Sequence, residues 1–144
     1  MLLKEIMTKN VISISHEATL KEAGEVFKQK RISGLPVVNE NGEIVGVVTI
    51  TDMLRILGQI YKLKESEKKS QSDIMLSEMY EGEKQKAQVK DLMTREIHVL
   101  KEDSSIEEVM RLMFQKNVHT IPITDAEGHI VGIIGRRDLV GACF

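Results

Sequence analysis

The chain repeats itself. Displaced by 86 residues, Lys4 to Leu54 lies over Lys90 to Val140 without a gap, and 12 of the 51 pairs are identical. Among these are Met7/Met93, Thr8/Thr94, Glu22/Glu108, Pro36/Pro122, Gly46/Gly132 and Asp52/Asp138; 14 of the other 39 pairs exchange one apolar residue for another. A unit of about 50 residues rarely buries enough surface to stand alone, so two copies are expected to cover each other's apolar faces. Any ligand site is then expected in the seam. The spacing divides the chain into a first copy (1–58), an insert (59–88) and a second copy (89–144).

Composition narrows the class of function without choosing one. The 144 residues, 42% hydrophobic and 29% charged, suit one compact globular domain. A net charge of −2 with a pI near 6.1 speaks against a protein that neutralises nucleic-acid phosphates. No apolar run reaches the length of a membrane span and Met1 to Glu5 does not open a signal peptide, so a cytoplasmic location without membrane contact is expected. Cys143 is the single cysteine, with no partner for a disulfide or a metal.

Each copy carries the same local signals. Val11-Ile12-Ser13-Ile14 alternates as a strand does. Thr19-Leu20-Lys21-Glu22 and Ser105-Ile106-Glu107-Glu108 fit the capping box, in which hydroxyl and carboxylate each accept an orphan amide at a helix start. Behind them Leu20, Ala23, Gly24 and Phe27, and in the second copy Ile106, Val109, Met110 and Met113, form apolar stripes at helical spacing. Leu35 to Val38 and Ile44 to Val48 flank the turn Asn39-Glu40-Asn41-Gly42; Ile121 to Thr124 and Ile130 to Ile134 flank Asp125-Ala126-Glu127-Gly128. A proline heads the second strand of each copy, which suits a strand start or edge. A closing helix is predicted from Thr51-Asp52 and from Arg137-Asp138. The order is strand, helix, strand, strand, helix, twice.

Residues 62–72 of the insert are nearly all charged or small polar, which fits either the solvated end of a helix or a linker. Ile74, Met75, Met79 and Tyr80 then form a narrow stripe that suits a surface helix packed on its own domain or an adaptable patch for a partner.

The doubled pattern of Met-Thr, a capped helix, a proline-headed strand, Gly-x-h-V-G-h-h and a closing aspartate resembles the CBS domain pair, or Bateman module. The resemblance covers both repeats. It implies an α/β (α+β) fold of two β-α-β-β-α units packed through their sheets about a pseudo-twofold axis, with a cleft on either side of the seam. It also implies adenosine-containing ligands such as AMP, ADP, ATP, S-adenosylmethionine or NAD, and a homodimer of modules.

Carried onto this chain, the resemblance places Thr49, Asp52, Thr94, His98 and Val118 at the first site, and Thr8, Ile12, Ile32, His119, Arg136 and Asp138 at the second. Asp52 and Asp138 would accept hydrogen bonds from ribose hydroxyls, which are strong when the acceptor is charged. Asp52 read by itself is equally a helix cap and Thr49 a strand residue. His98 is either part of an adenine wall or a solvent-facing strand residue. His119 suits a phosphate or a structural hydrogen bond, and Arg136 and Arg137 suit a phosphate or solvent. Gly135 stands where the first copy has Thr49, so the sites are expected to be unequal, with the Asp52 site better formed.

Three classes of function remain. The first is a regulatory module whose adenosyl ligand biases the packing of the copies for an unidentified protein effector. The second is a ligand-independent dimerisation scaffold. Catalysis is not expected, because no nucleophile elbow, Walker loop or metal-spaced histidine set is present, and neither a catalytic cofactor nor a metal is expected.

Overall fold

The computed structural model describes residues 1–61 and 87–144. The stripe at Ile74, Met75, Met79 and Tyr80 lies outside them. The elements are α1 (Leu3–Ile6), β1 (Ile14–Ser15), α2 (Leu20–Lys30), β2 (Gly34–Val38), β3 (Ile44–Thr49) and α3 (Ile50–Ile60). After residue 86 come α4 (Val89–Leu92), β4 (Leu100–Lys101), α5 (Ile106–Lys116), β5 (Thr120–Thr124), β6 (Ile130–Gly135) and α6 (Arg136–Cys143). The strands form two sheets, ordered β1-β2-β3 and β4-β5-β6, in which the first pair is parallel and the second antiparallel.

The caps form as the sequence predicts. Thr19 Oγ1 accepts the Glu22 amide and the Glu22 carboxylate accepts the Thr19 amide, both at 3.1 Å. Ser105 and Glu108 repeat the exchange at 3.4 and 2.9 Å. Helix α2 buries Leu20, Ala23 and Phe27, and α5 buries Val109 and Met113. Met110, expected on the buried stripe, is largely exposed. In the hairpins Asn39 Oδ1 and Asp125 Oδ1 each accept two amides across the turn, and Gly42 and Gly128 take the positive φ that closes it. The amide of His129 is the main cause of the lowered pKa of Asp125.

Pro36 sits inside the central strand rather than at an edge, and the register shows why this is tolerated. Its antiparallel partner Val47 spends both its amide and its carbonyl on Thr94, so the face of Pro36 that lacks a donor turns away from β3. There the parallel ladder with β1 begins only at Val37. The same holds for Pro122, whose partner Ile133 exchanges both hydrogen bonds with Thr8. This fits the reduction of the strand expected over Val11 to Ile14 to Ile14–Ser15, since Pro36, the residue before Val37, offers β1 no amide.

The two copies exchange their first residues. The amides of Leu3 and Lys4 donate to the carbonyls of Ser104 and Glu102, and those of Val89 and Lys90 donate reciprocally to Ala18 and His16. Leu3 and Met7 are thereby buried in the second copy's core with Val109, Met113, Ile121, Ile123, Ile134 and Leu139. Ala87, Val89, Leu92 and Met93 complete the first core, around Leu20, Leu35, Val37, Val48 and Ile56. The glycines identical in the two copies make room for this. A Cβ on Gly46 would stand 2.6 Å from Met93 Sδ and 2.9 Å from the Thr94 carbonyl, and one on Gly132 would collide with Met7 Sδ. Strands β2 and β5 touch where a Cβ on Gly34 would strike Thr120. Those two residues are equivalent in the repeat, so the pseudo-twofold axis passes between them.

Gly24 has no such duty. In the middle of α2, its added Cβ would lie 4.0 Å from Met53 Cε, the nearest atom among the described residues. Gly24→Ala is expected to raise stability by about 0.5–1 kcal/mol, read as a shift of the denaturant midpoint at constant slope.

Candidate functional site

The caps of both closing helices lie two residues before the predicted starts at Thr51 and Arg137, and this sets the chemistry of the seam. Thr49, not Thr51, is the cap of α3: its hydroxyl accepts the Asp52 amide at 3.1 Å while Asp52 Oδ2 accepts the Thr49 amide at 2.9 Å. In the second copy Gly135 caps α6 without a side chain, and Asp138 Oδ2 still accepts its amide at 2.8 Å. Each carboxylate is thus fixed at the third helical residue, beside amides of the first turn that have no partner within the helix.

The outer oxygens differ. Asp52 is buried, and its Oδ1 receives the Arg55 guanidinium at 3.2 Å. Position 141, equivalent to Arg55, is glycine. Asp138 Oδ1 instead accepts the hydroxyl of Thr8 at 2.9 Å, a hydrogen bond between the two copies. A carboxylate offers about four acceptor positions, and the bonds named here take two on each. Acceptor capacity for a pair of hydroxyls is left on both.

Each aspartate faces a cavity between the copies. The first, of about 500 Å³, brings together all five residues assigned to it: Thr49, Asp52, Thr94, His98 and Val118. Ser33, Val47, Ile50, Glu96, Ile97, Asn117 and Thr120 are further parts of its wall. The second, of about 530 Å³, brings together Thr8, Ile32, Arg136 and Asp138 with Arg137, Arg31, Phe27 and Ile133. Two of the residues assigned to the second site do not line the second cavity. Ile12, partly buried, packs against the first copy's core. His119 lies on the wall of the first cavity, because it follows α5 on the side that carries Asn117 and Val118.

Arg31 and Asn117 were missed by the sequence reading. They occupy equivalent positions at the ends of α2 and α5, with φ of 52° and 55°, and each lines one cavity. Left-handed backbone is common for asparagine and costly for arginine, so only Asn117 gave a readable signal. The two cavities differ in charge: the second has three guanidinium groups against one carboxylate, the first one guanidinium against Asp52 and Glu96.

Comparison with known proteins places the chain. The model of the CBS domain family matches residues 3–59 and 89–144. The uncharacterized protein MJ1426 of Methanocaldococcus jannaschii is 32% identical over 99% of this chain and 90% of its own length. The inosine-5'-monophosphate dehydrogenase of the same organism is 32% identical over 94% of this chain, but the chain spans 22% of that enzyme. The next four curated relatives are likewise spanned for only 22% to 42% of their length. The crystal structure of CBSX2, a protein of Arabidopsis thaliana, in complex with AMP superposes with a TM-score of 0.75 at 27% identity, covering 98% of this chain and 94% of that one.

Proposed function

Because this chain belongs to the CBS domain family, we propose that it is a regulatory module that binds an adenosine-containing ligand in the seam and reports its occupancy to a separate partner. The observation that carries this reading is the pair of equivalent carboxylates, each fixed by a backbone amide at a helix start and facing a cavity whose opposite wall comes from the other copy. The AMP held by CBSX2 supports the ligand class.

The chain's own residues suggest how occupancy is reported. Asp52 and Asp138 orient a ribose through its hydroxyls, and Thr94 and Val118, or Thr8 and Ile32, close the opposite walls. A ribose hydroxyl at Asp138 would share Oδ1 with the Thr8 hydroxyl, so the ligand and a bond between the copies meet on one oxygen. A ligand shifts the packing only as far as its affinities for two packings differ. That difference at Thr8 is where the signal would originate.

Thermal unfolding of nucleotide-free protein tests the proposal. At millimolar AMP, ADP, ATP, S-adenosylmethionine or NAD, at least one is expected to raise the midpoint, by about 2.7 kcal/mol of added stability at a hundredfold excess over Kd. No shift with any of them contradicts it.

A second reading, a self-associating scaffold, is favoured by one observation. Leu54 on α3 and Val140 on α6, equivalent positions in the repeat, are both 59% exposed, with Leu57 at 43% beside the first. This reading predicts a dimer by sedimentation, with a thermal midpoint indifferent to every adenosine compound.

A further inference from the structure

We infer that Arg136 couples the two cavities: it serves the anionic end of a ligand in one of them at a time, so that a phosphorylated ligand in one weakens phosphate binding in the other. This rests on the adenosine-binding reading above and adds to it a rule of occupancy. Ser33, Ile50, Thr120 and Arg136 line both cavities, which therefore share a wall. Arg136 is the first residue of α6, and its equivalent in the first copy is Ile50, so the shared wall carries one charge rather than a symmetric pair. A guanidinium gripping a phosphate through two parallel hydrogen bonds is committed in direction and cannot do the same for a phosphate on the other side.

The surroundings fix the order of filling. The second cavity adds Arg31 and Arg137, whereas the first has Arg136 as its one guanidinium, beside Asp52 and Glu96. A first phosphorylated ligand therefore enters the second cavity and draws Arg136 to it. The first cavity is left with Glu96 and the Arg55-paired Asp52, and with no lining guanidinium for an incoming phosphate. A nucleoside without phosphate has no use for Arg136 and escapes the penalty. The result is negative cooperativity confined to phosphorylated ligands.

Calorimetric titration of the full nucleotide-free chain with AMP and with adenosine tests the coupling. For AMP, two steps at least tenfold apart are expected. Asp138→Ala should abolish the tight step and strengthen the remaining one at least threefold, because Arg136 is released to the first cavity. Arg136→Ile, which installs the residue of the first copy, should weaken the tight AMP step, leave the weak step near its wild-type value, and change adenosine affinity far less than the tight AMP step. Adding Asp138→Ala to it should then leave the remaining step unaltered. Two AMP steps that ignore each other, or an Arg136→Ile variant that weakens the weak step as much as the tight one, overturn the coupling while leaving adenosine binding intact. No heat with either compound overturns the adenosine reading and the coupling with it.

Discussion

Gly46→Val is expected to destabilise the protein by about 3 kcal/mol, the upper part of the range for overpacked sites, lowering the thermal midpoint by roughly 6–12 °C. Intrinsic preference points the other way, since valine is a better strand residue than glycine. The sign therefore separates propensity from packing. Even the first added atom would stand 2.6 Å from Met93 Sδ and 2.9 Å from the Thr94 carbonyl. The sulfur sits on a flexible side chain and can yield. The carbonyl cannot, because Thr94 exchanges both its backbone hydrogen bonds with Val47. Met93→Ala combined with Gly46→Val should accordingly cost less than the sum of the two single changes without returning to wild-type stability. Circular-dichroism melts of the four proteins decide this, and a Gly46→Val midpoint at or above that of wild type contradicts the exchange of segments between copies.

Asp52→Ala is expected to weaken adenosine binding about a hundredfold, from two charge-assisted hydrogen bonds of about 1.5 kcal/mol each. The chain also loses a helix-start contact, because Asp52 holds the Thr49 amide, at a cost of about 1 kcal/mol in stability. Affinity and stability must therefore be read separately, by titration and by melting. Asp138→Ala should weaken adenosine less, since its cavity lacks the hydroxyl that Thr49 brings to the other. With adenosine rather than AMP, the arginines of the second cavity do not obscure the comparison. A larger effect at Asp138 sinks this ranking of the nucleoside sites.

The architecture was legible because it is written twice. A capping box, a glycine turn and a closing aspartate recurring 86 residues apart leave little freedom in element order. Local chemistry fixed the starts of α2 and α5 correctly, since hydroxyl and carboxylate partners lie three residues apart. It missed the caps of α3 and α6 because Asp52 and Asp138 were read as helix starters, whereas each is the third helical residue, and Asp52 is the capping-box partner of Thr49. The exchange of the first residues left its mark in the identical pairs Met7/Met93 and Gly46/Gly132. Nothing local says that Met7 meets Gly132 rather than Gly46, because periodicity describes faces and not partners.

The cavities were legible in the same uneven way. Residues of the first site lie on β3, α3 and the segments after α4 and α5, and repeat symmetry brings them together. Ile12 and His119 were assigned to the second site by the resemblance alone, and neither lines the second cavity. Ser33, equivalent to His119 in the repeat, lines both cavities. The charge difference between the cavities needed coordinates, since Arg31 comes from a helix end and Arg136 from a helix start.

Adenosine binding at the two aspartates is tested most directly by titrating nucleotide-free protein with adenosine alongside the Asp52→Ala/Asp138→Ala double variant, each shown folded by its melt. Saturable binding to the wild-type chain and none to the double variant at the same concentrations is the predicted result. Equal affinity for both proteins, or no binding to the folded wild-type chain, would contradict it.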